Sequence, residues 1–368
     1  MNSRLDEGEL TPKISLPVET KSGTEIYAWA QKLRNYCGPS GARGVFELLV
    51  TAIPFAVAWG SMYAALRFGQ PWLYVILLLP ASGLLVRLFM IQHDCGHGSF
   101  FPHKTVNDWV GRAISVFTLA PYDLWRRSHA IHHATSGNLD RRGVGDIDTI
   151  TVAEYRARAW WGRFCYRLYR SPAVLFGLGP VYYFMLQNRL PVGFMRRGWG
   201  PWASTMATNL AIVGVSGSAI RLVGLQNFIL IQTPIWFLAS AMGVWLFYVQ
   251  HQFEGTFWAR HNRWDVREAA LHGSSHYDLP SILRWFTANI GIHHVHHLSS
   301  RIPFYSLHNV LRDYPELIDV NRLTLWTSLQ SVRLALWDDV SEHLVTFNSL
   351  RNGHVPCRIS RPVVLESS

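Results

Sequence analysis

Four apolar runs constrain this 368-residue chain more than any other feature. They lie at about 45–68, 72–92, 201–222 and 228–249. Each is long enough to cross a bilayer as a helix, which takes about 20 residues. Lipid offers no water to backbone amides, so such a run must close its hydrogen bonds internally, as a helix does. Only a turn with Gly69 and Pro71 separates the first two runs, and only a short link around 224–227 separates the last two. The expectation is an all-α integral membrane protein with four transmembrane helices in two hairpins, each entering and leaving on one face. With 49% apolar and 16% charged residues, the chain is too apolar for a typical soluble enzyme.

Two shorter apolar pieces, 109–121 and 172–187, are read as interfacial or re-entrant segments. Were either to cross alone, the histidine-rich stretches described below would fall on opposite faces. Charge gives an independent check. Fourteen lysines and arginines lie between Lys104 and Arg197, while the hairpin turns hold little beyond Arg67 and Arg221. The positive-inside rule then puts both termini and the 93–200 loop in the cytoplasm. The net charge of +10 follows from this asymmetry and calls for no nucleic-acid partner. Three regions are expected: a polar cytosolic arm over 1–44 without the apolar core of a signal peptide, a membrane domain over 45–310, and a cytosolic cap and tail over 311–368. In the cap, apolar residues at helical spacing over 322–346 predict an amphipathic helix. The last dozen residues are expected to be loose. Cys37, Cys95, Cys165 and Cys357 form no CxxC pair, so neither a disulfide framework nor a thiolate metal site is expected.

Histidine is concentrated in three knots: HDCGH at 93–97, HAIHH at 129–133 and HHVHH at 293–297. His93 and His97 are four apart. His129 pairs with His132 and His133 at spacings of three and four, as His293 does with His296 and His297. On helices these spacings bring imidazoles to one side. Imidazole is the commonest neutral metal ligand near pH 7. Eight such histidines exceed the four ligands of one structural zinc and suit two metals. His251, just past the fourth run, is a ninth candidate. Imidazole serves iron, copper, zinc and nickel alike, so ligand type leaves the metal open. A single knot can equally be a surface cluster; three on one expected face make a metal site the better reading. His294 points away from its neighbours and reads as a packing residue or a support for the ligands. His103, His261, His272, His276, His308, His343 and His354 lack the spacing. Asp94, Asp146, Asp148, Glu254 and Asp265 are candidates to accept the second imidazole N–H, Glu254 from the helical face of His251; each can instead pair with arginine. Cys95 reads as a small packing residue.

HDCGHGSFF (93–101), HAIHHATSGNLDRRGVGDIDT (129–149) and NIGIHHVHHLSSRIPFY (289–305) resemble the three histidine boxes of the integral-membrane fatty acid desaturases. The flanking PYDLWRRSH, TVAEY, QHQFEGTFW and AALHGSSHYDLP are similar too, and the likeness runs from about 90 to 305, nearest to bacterial and plastid acyl-lipid desaturases. The resemblance implies two non-haem iron ions held by the box histidines His93, His97, His129, His132, His133, His293, His296 and His297. It implies O2 as co-substrate, two electrons from an external donor such as ferredoxin or a small cytochrome, and an acyl-lipid or acyl-thioester substrate. A bacterial inner-membrane location, with the boxes on the cytoplasmic side, goes with it. His251 matches an extra ligand of animal acyl-CoA members. The asparagine those members carry one turn earlier is Phe247 here, and is not carried over.

A site at the cytosolic ends of the spans can take an acyl chain sideways from the bilayer. Trp109, Trp125, Trp245, Tyr248 and Trp285 are candidate tunnel walls, or members of an interfacial aromatic belt. No HPGG haem motif is present, so no fused haem domain is expected. Arg156, Arg158, Arg163, Arg167 and Arg170 can dock an acidic electron donor, or meet anionic headgroups. A delta-12 (omega-6) or delta-5 desaturase is the expected activity. The nearest alternative is a di-iron hydroxylase or ketolase acting on a lipid, alkane or carotenoid. A histidine-rich metal transporter is the alternative from another class; it would place ionisable groups along an ion path inside the spans, which hold almost none besides Arg87.

Overall fold

The computed structural model describes residues 28–29 and 31–352. Most of the expected N-terminal arm, the tail expected to be loose and Cys357 lie outside the described residues. Four helices are long and apolar enough to cross a membrane: α1 (Gly41–Arg67), α2 (Pro71–His97), α7 (Trp199–Val223) and α8 (Leu225–His251). All four runs expected to span form helices, each lengthened by several residues. The Ser40 hydroxyl caps α1 by accepting the Arg43 amide. Pro71 opens α2, where its missing N–H costs nothing. Gly98 closes α2 at φ +68°, a left-handed conformation that glycine adopts without a Cβ penalty.

Between the two long pairs run α3 (Lys104–Thr118), α4 (Tyr122–Thr135), β1 (Ile150–Thr151), α5 (Val152–Ala157) and α6 (Trp160–Tyr169). A segment of wide helical turns over Val174–Leu178 and Tyr182–Leu186 follows. Phe176 packs that segment onto α8, its ring 5.2 Å from Trp245 and 5.3 Å from Tyr248. After α8 come α9 (Val266–His272), β2 (His276–Tyr277), α10 (Ser281–Phe286), α11 (His293–Leu298), α12 (Phe304–Asp313), β3 (Arg322–Leu323), α13 (Leu325–Ser331), β4 (Leu334–Asp338) and β5 (His343–Thr346).

The helix expected over 322–346 does not form as one piece. Only α13 is helical; β4 and β5 make an antiparallel hairpin, and β1 pairs with β4 in parallel. The strands win because both faces of the hairpin are covered. Ala335, Leu336 and Val345 pack with Ile150, Val152, Tyr155 and Tyr166. Trp337 and Leu344 pack with Leu139 and Trp258. A helix lying on a surface would bury one stripe only. The chain is therefore helical with two small sheets, not all-α.

Arg87 is buried in α2, and its Nη2 donates to Glu47 Oε2 of α1 at 2.5 Å. The guanidinium also donates to the Trp285 carbonyl and lies 4.3 Å from the Trp285 ring and 5.1 Å from that of Phe304. One buried ion pair thus ties α1 and α2 to the segments on either side of α11.

Candidate metal centre

Three helices and one helix end bring nine imidazoles together. α2 carries His93 and His97 on its last turn. α4 carries His129, His132 and His133. α8 ends on His251, and α11 carries His293, His296 and His297. Gly291 explains how α11 is admitted. A Cβ there would lie 2.4 Å from the Tyr277 carbonyl oxygen, so only glycine lets the chain pass β2 into the helix.

The donor nitrogens fall into two groups, each within 4.8 Å: His93, His97, His129, His133 and His296, and His132, His251, His293 and His297. In the first, Nε2 of His129 is 3.0 Å from that of His93 and 3.1 Å from that of His133, and His133 is 3.2 Å from His296. In the second, His251 is 3.1 Å from His132 and 3.0 Å from His293, which is 3.1 Å from His297. The His133 and His297 rings stack at 4.1 Å and join the groups. All nine sequence candidates are thus brought together. Residues four apart on a helix share a group, whereas the residue three along turns to the other one. Four residues advance about 40° beyond a full turn and three fall about 60° short of it, so the two directions diverge.

Carboxylate and carbonyl acceptors set the tautomers. His132 Nδ1 donates to Asp146 Oδ1 at 2.5 Å, and His251 Nδ1 donates to the Gly273 carbonyl at 3.1 Å. A carbonyl only accepts, so His251 Nε2 keeps a lone pair; a carboxylate oxygen that accepts the His132 Nδ1–H leaves His132 Nε2 a lone pair as well. These two lone pairs face one another at 3.1 Å in a buried site. His97 Nε2 is buried with no hydrogen-bond partner among the described residues. Burial first, then neighbouring imidazoles, push His129, His133, His293, His296 and His297 well below the ordinary histidine value, so they are neutral near pH 7. Facing Nε2 lone pairs, as those of His132 and His251, repel one another unless a cation lies between them. The donor set fits transition-metal ions that favour imidazole.

Residues 70–328 match the fatty acid desaturase family. The chain belongs to that family. It is an oxidoreductase, a desaturase, and its apolar helices suit a membrane protein. It is similar to a fatty acid desaturase of Bacillus subtilis, 43% identical over 321 residues, 87% of this chain and 90% of that protein. An sn-1 acyl-lipid omega-3 desaturase (ferredoxin) of Synechocystis is 30% identical over 264 residues, 67% of this chain and 69% of that protein. An sn-1 oleoyl-lipid 12-desaturase of Synechocystis is 27% identical over 285 residues, 73% of this chain and 76% of that protein.

The supports of this desaturase's histidines are partly those expected. Asp94 accepts His93 Nδ1 at 2.9 Å through one oxygen and the Phe304 amide at 2.6 Å through the other, linking the first box to the segment after the third. Asp146 serves His132. Asp265 instead caps α9, and Glu254 lies exposed beyond the end of α8, so it shares no helical face with His251. His294 is buried and bonds the Leu317 carbonyl at 3.0 Å, a packing role. The Gly273 carbonyl that orients His251 carries no side-chain signal a sequence could offer. Trp125 stacks on His129 at 4.5 Å, while Trp109 is exposed. The Phe247 ring lies 5.0 Å from His132 and 5.3 Å from His251, an apolar wall of the second group.

Arg170 corrects the expected basic patch. It is buried, and its guanidinium donates to the Asp148 and Leu334 carbonyls, Thr149 Oγ1, Tyr248 OH and Gln252 Oε1. It clamps α8, the loop before β1 and the hairpin, and is not open to a partner. Arg156, Arg158, Arg163 and Arg167 are exposed.

Proposed function

We propose that this desaturase introduces a cis double bond into the acyl chain of a membrane lipid, with delta-12 (omega-6) or delta-5 regiochemistry, at a pair of histidine-held irons. The observation that carries this reading is the division of nine imidazole donors into two adjacent groups. His93, His97, His129, His133 and His296 would hold one iron, and His132, His251, His293 and His297 the other. Two irons so held supply the activation of O2, with two electrons, for removal of two hydrogens from an unactivated methylene pair.

The chain's own residues prepare that chemistry. Asp94, Asp146 and the Gly273 carbonyl hold three imidazoles in the tautomer that turns Nε2 inward. Burial of His293 and His296 excludes water and keeps these two donors unprotonated. Phe247 and Trp125 present apolar and aromatic surface beside the donors, suited to hold a methylene chain.

The four long helices form two hairpins, with the histidines beneath the cytoplasmic leaflet; the basic loop over 104–197 supports this orientation. The short helices and sheets around the centre form the cytosolic cap. Electrons come from an external donor of the ferredoxin class, a reading supported by the printed name of one Synechocystis relative.

Expression in a host lacking polyunsaturated lipids, followed by gas chromatography with mass spectrometry of derivatised chains, tests the reading. A new double bond that His132→Ala abolishes is expected. An unchanged profile, or a hydroxylated chain in its place, overturns it.

A further inference from the structure

A cavity of about 270 Å³ lies where α3, α4 and the first turns of α7 meet. Arg112, Asp123, Arg127, Pro201 and Ser204 line it. Its charge is unbalanced. Asp123 accepts Arg112 Nε at 3.1 Å and Nη2 at 3.3 Å, and the Ser204 hydroxyl at 2.8 Å, so its carboxylate is neutralised in place. Arg127 has no hydrogen bond or ion pair among the described residues, and it is exposed. One full positive charge, with all its N–H donors free, therefore faces a space too small for a whole lipid. Pockets for drug-sized ligands run from about 300 Å³ upward.

The surroundings say where this space sits. It lies at the end of α7, one of the four helices able to span a bilayer. Trp199, which opens α7, and Trp109 of α3 are both exposed. The Trp109 ring lies 5.3 Å from the Arg112 guanidinium. Exposed tryptophans at a span end mark the headgroup level of a membrane. Arg196 and Arg197, also exposed, immediately precede α7 and add positive charge. The common anion at that level is phosphate, whose oxygens match a guanidinium fork.

The cavity also lies close to the chemistry. Arg127 precedes His129 by two residues on α4, about 3 Å of helical rise. Trp125, on the same helix, stacks on His129.

We propose that this cavity is a subsite for the phosphate of a lipid headgroup, with Arg127 as its main anion-binding group and the Asp123-anchored Arg112 beside it. It deepens the acyl-lipid reading above and rests on it: the substrate is a phospholipid, held by its headgroup while its acyl chain starts alongside α4.

The test uses the full chain purified in detergent and reconstituted in vesicles. In the binding arm, native mass spectrometry counts bound phosphatidylglycerol on the wild type, Arg127→Gln and Arg127→Lys. Arg127→Gln is expected to weaken retention about tenfold, the scale of a lost charge-assisted hydrogen bond, and Arg127→Lys to restore most of it. In the turnover arm, Arg127→Gln raises KM for chains on phosphatidylglycerol about tenfold at similar kcat, and leaves chains on a neutral galactolipid unchanged. Equal retention by the wild type and Arg127→Gln overturns the subsite. Retention of inorganic phosphate in preference to phosphatidylglycerol also overturns it, since the site then serves a free anion. If the wild type desaturates no lipid, the activity reading fails, and the binding arm still decides the subsite.

Discussion

His132 Nε2 and His251 Nε2 stand 3.1 Å apart, although 119 positions separate them in the chain. Each is turned inward by a different kind of acceptor, a carboxylate for His132 and a backbone carbonyl for His251. The pair places His251 among the candidate donors.

His251→Ala removes a donor from the four-histidine group and none from the five-histidine group. Metal content of purified protein, measured by plasma mass spectrometry, is expected to fall by about half, with loss of double-bond formation. Unchanged metal content and activity would show that His251 is only a neighbour of the donors.

Asp146 acts through His132. Asp146→Ala is expected to weaken metal retention about 10–100-fold in a chelator competition, because the ring loses its orienting acceptor. Asp146→Asn, which still accepts through its amide oxygen, lies between the two. An alanine variant that resists the chelator as well as the wild type does would refute the link.

The Arg87–Glu47 pair is buried on both sides. Arg87→Met alone leaves Glu47 with only the more exposed Arg43, 2.7 Å away, and is expected to cost about 3–5 kcal/mol. Adding Glu47→Leu recovers most of that loss. Thermal midpoints of the single and double variants in one detergent measure it, and additive losses would contradict it.

Arg170→Met strands several buried acceptors at once. A loss of about 2–4 kcal/mol is expected in denaturant or thermal unfolding, given the cost of leaving polar groups unpaired. Arg163→Met, on the exposed side of α6, changes stability by about 0.5 kcal/mol or less. Similar losses in both would mean that the clamp adds nothing.

Much of the site was legible because its signals are local. His93 and His97, His129 and His133, and His293 and His297 each sit four apart, and a helix alone puts such a pair on one side. Gly69 and Pro71 mark the first hairpin turn by their own backbone limits. The cap was misread because LALWD carries apolar residues that suit a helix face or a strand equally well. Pairing with β5 and β1, formed by residues up to almost 190 positions away, decided between them.

The sequence by itself determined the four long helices and the imidazole pairs, since hydropathy and the 3.6-residue turn act within a few residues. Only the tertiary structure decided that His132 joins His251 and not His129, that Arg170 is a buried clamp, and that Arg127 faces an open cavity. Those outcomes depend on which distant acceptors and donors reach one another, and no local spacing encodes that.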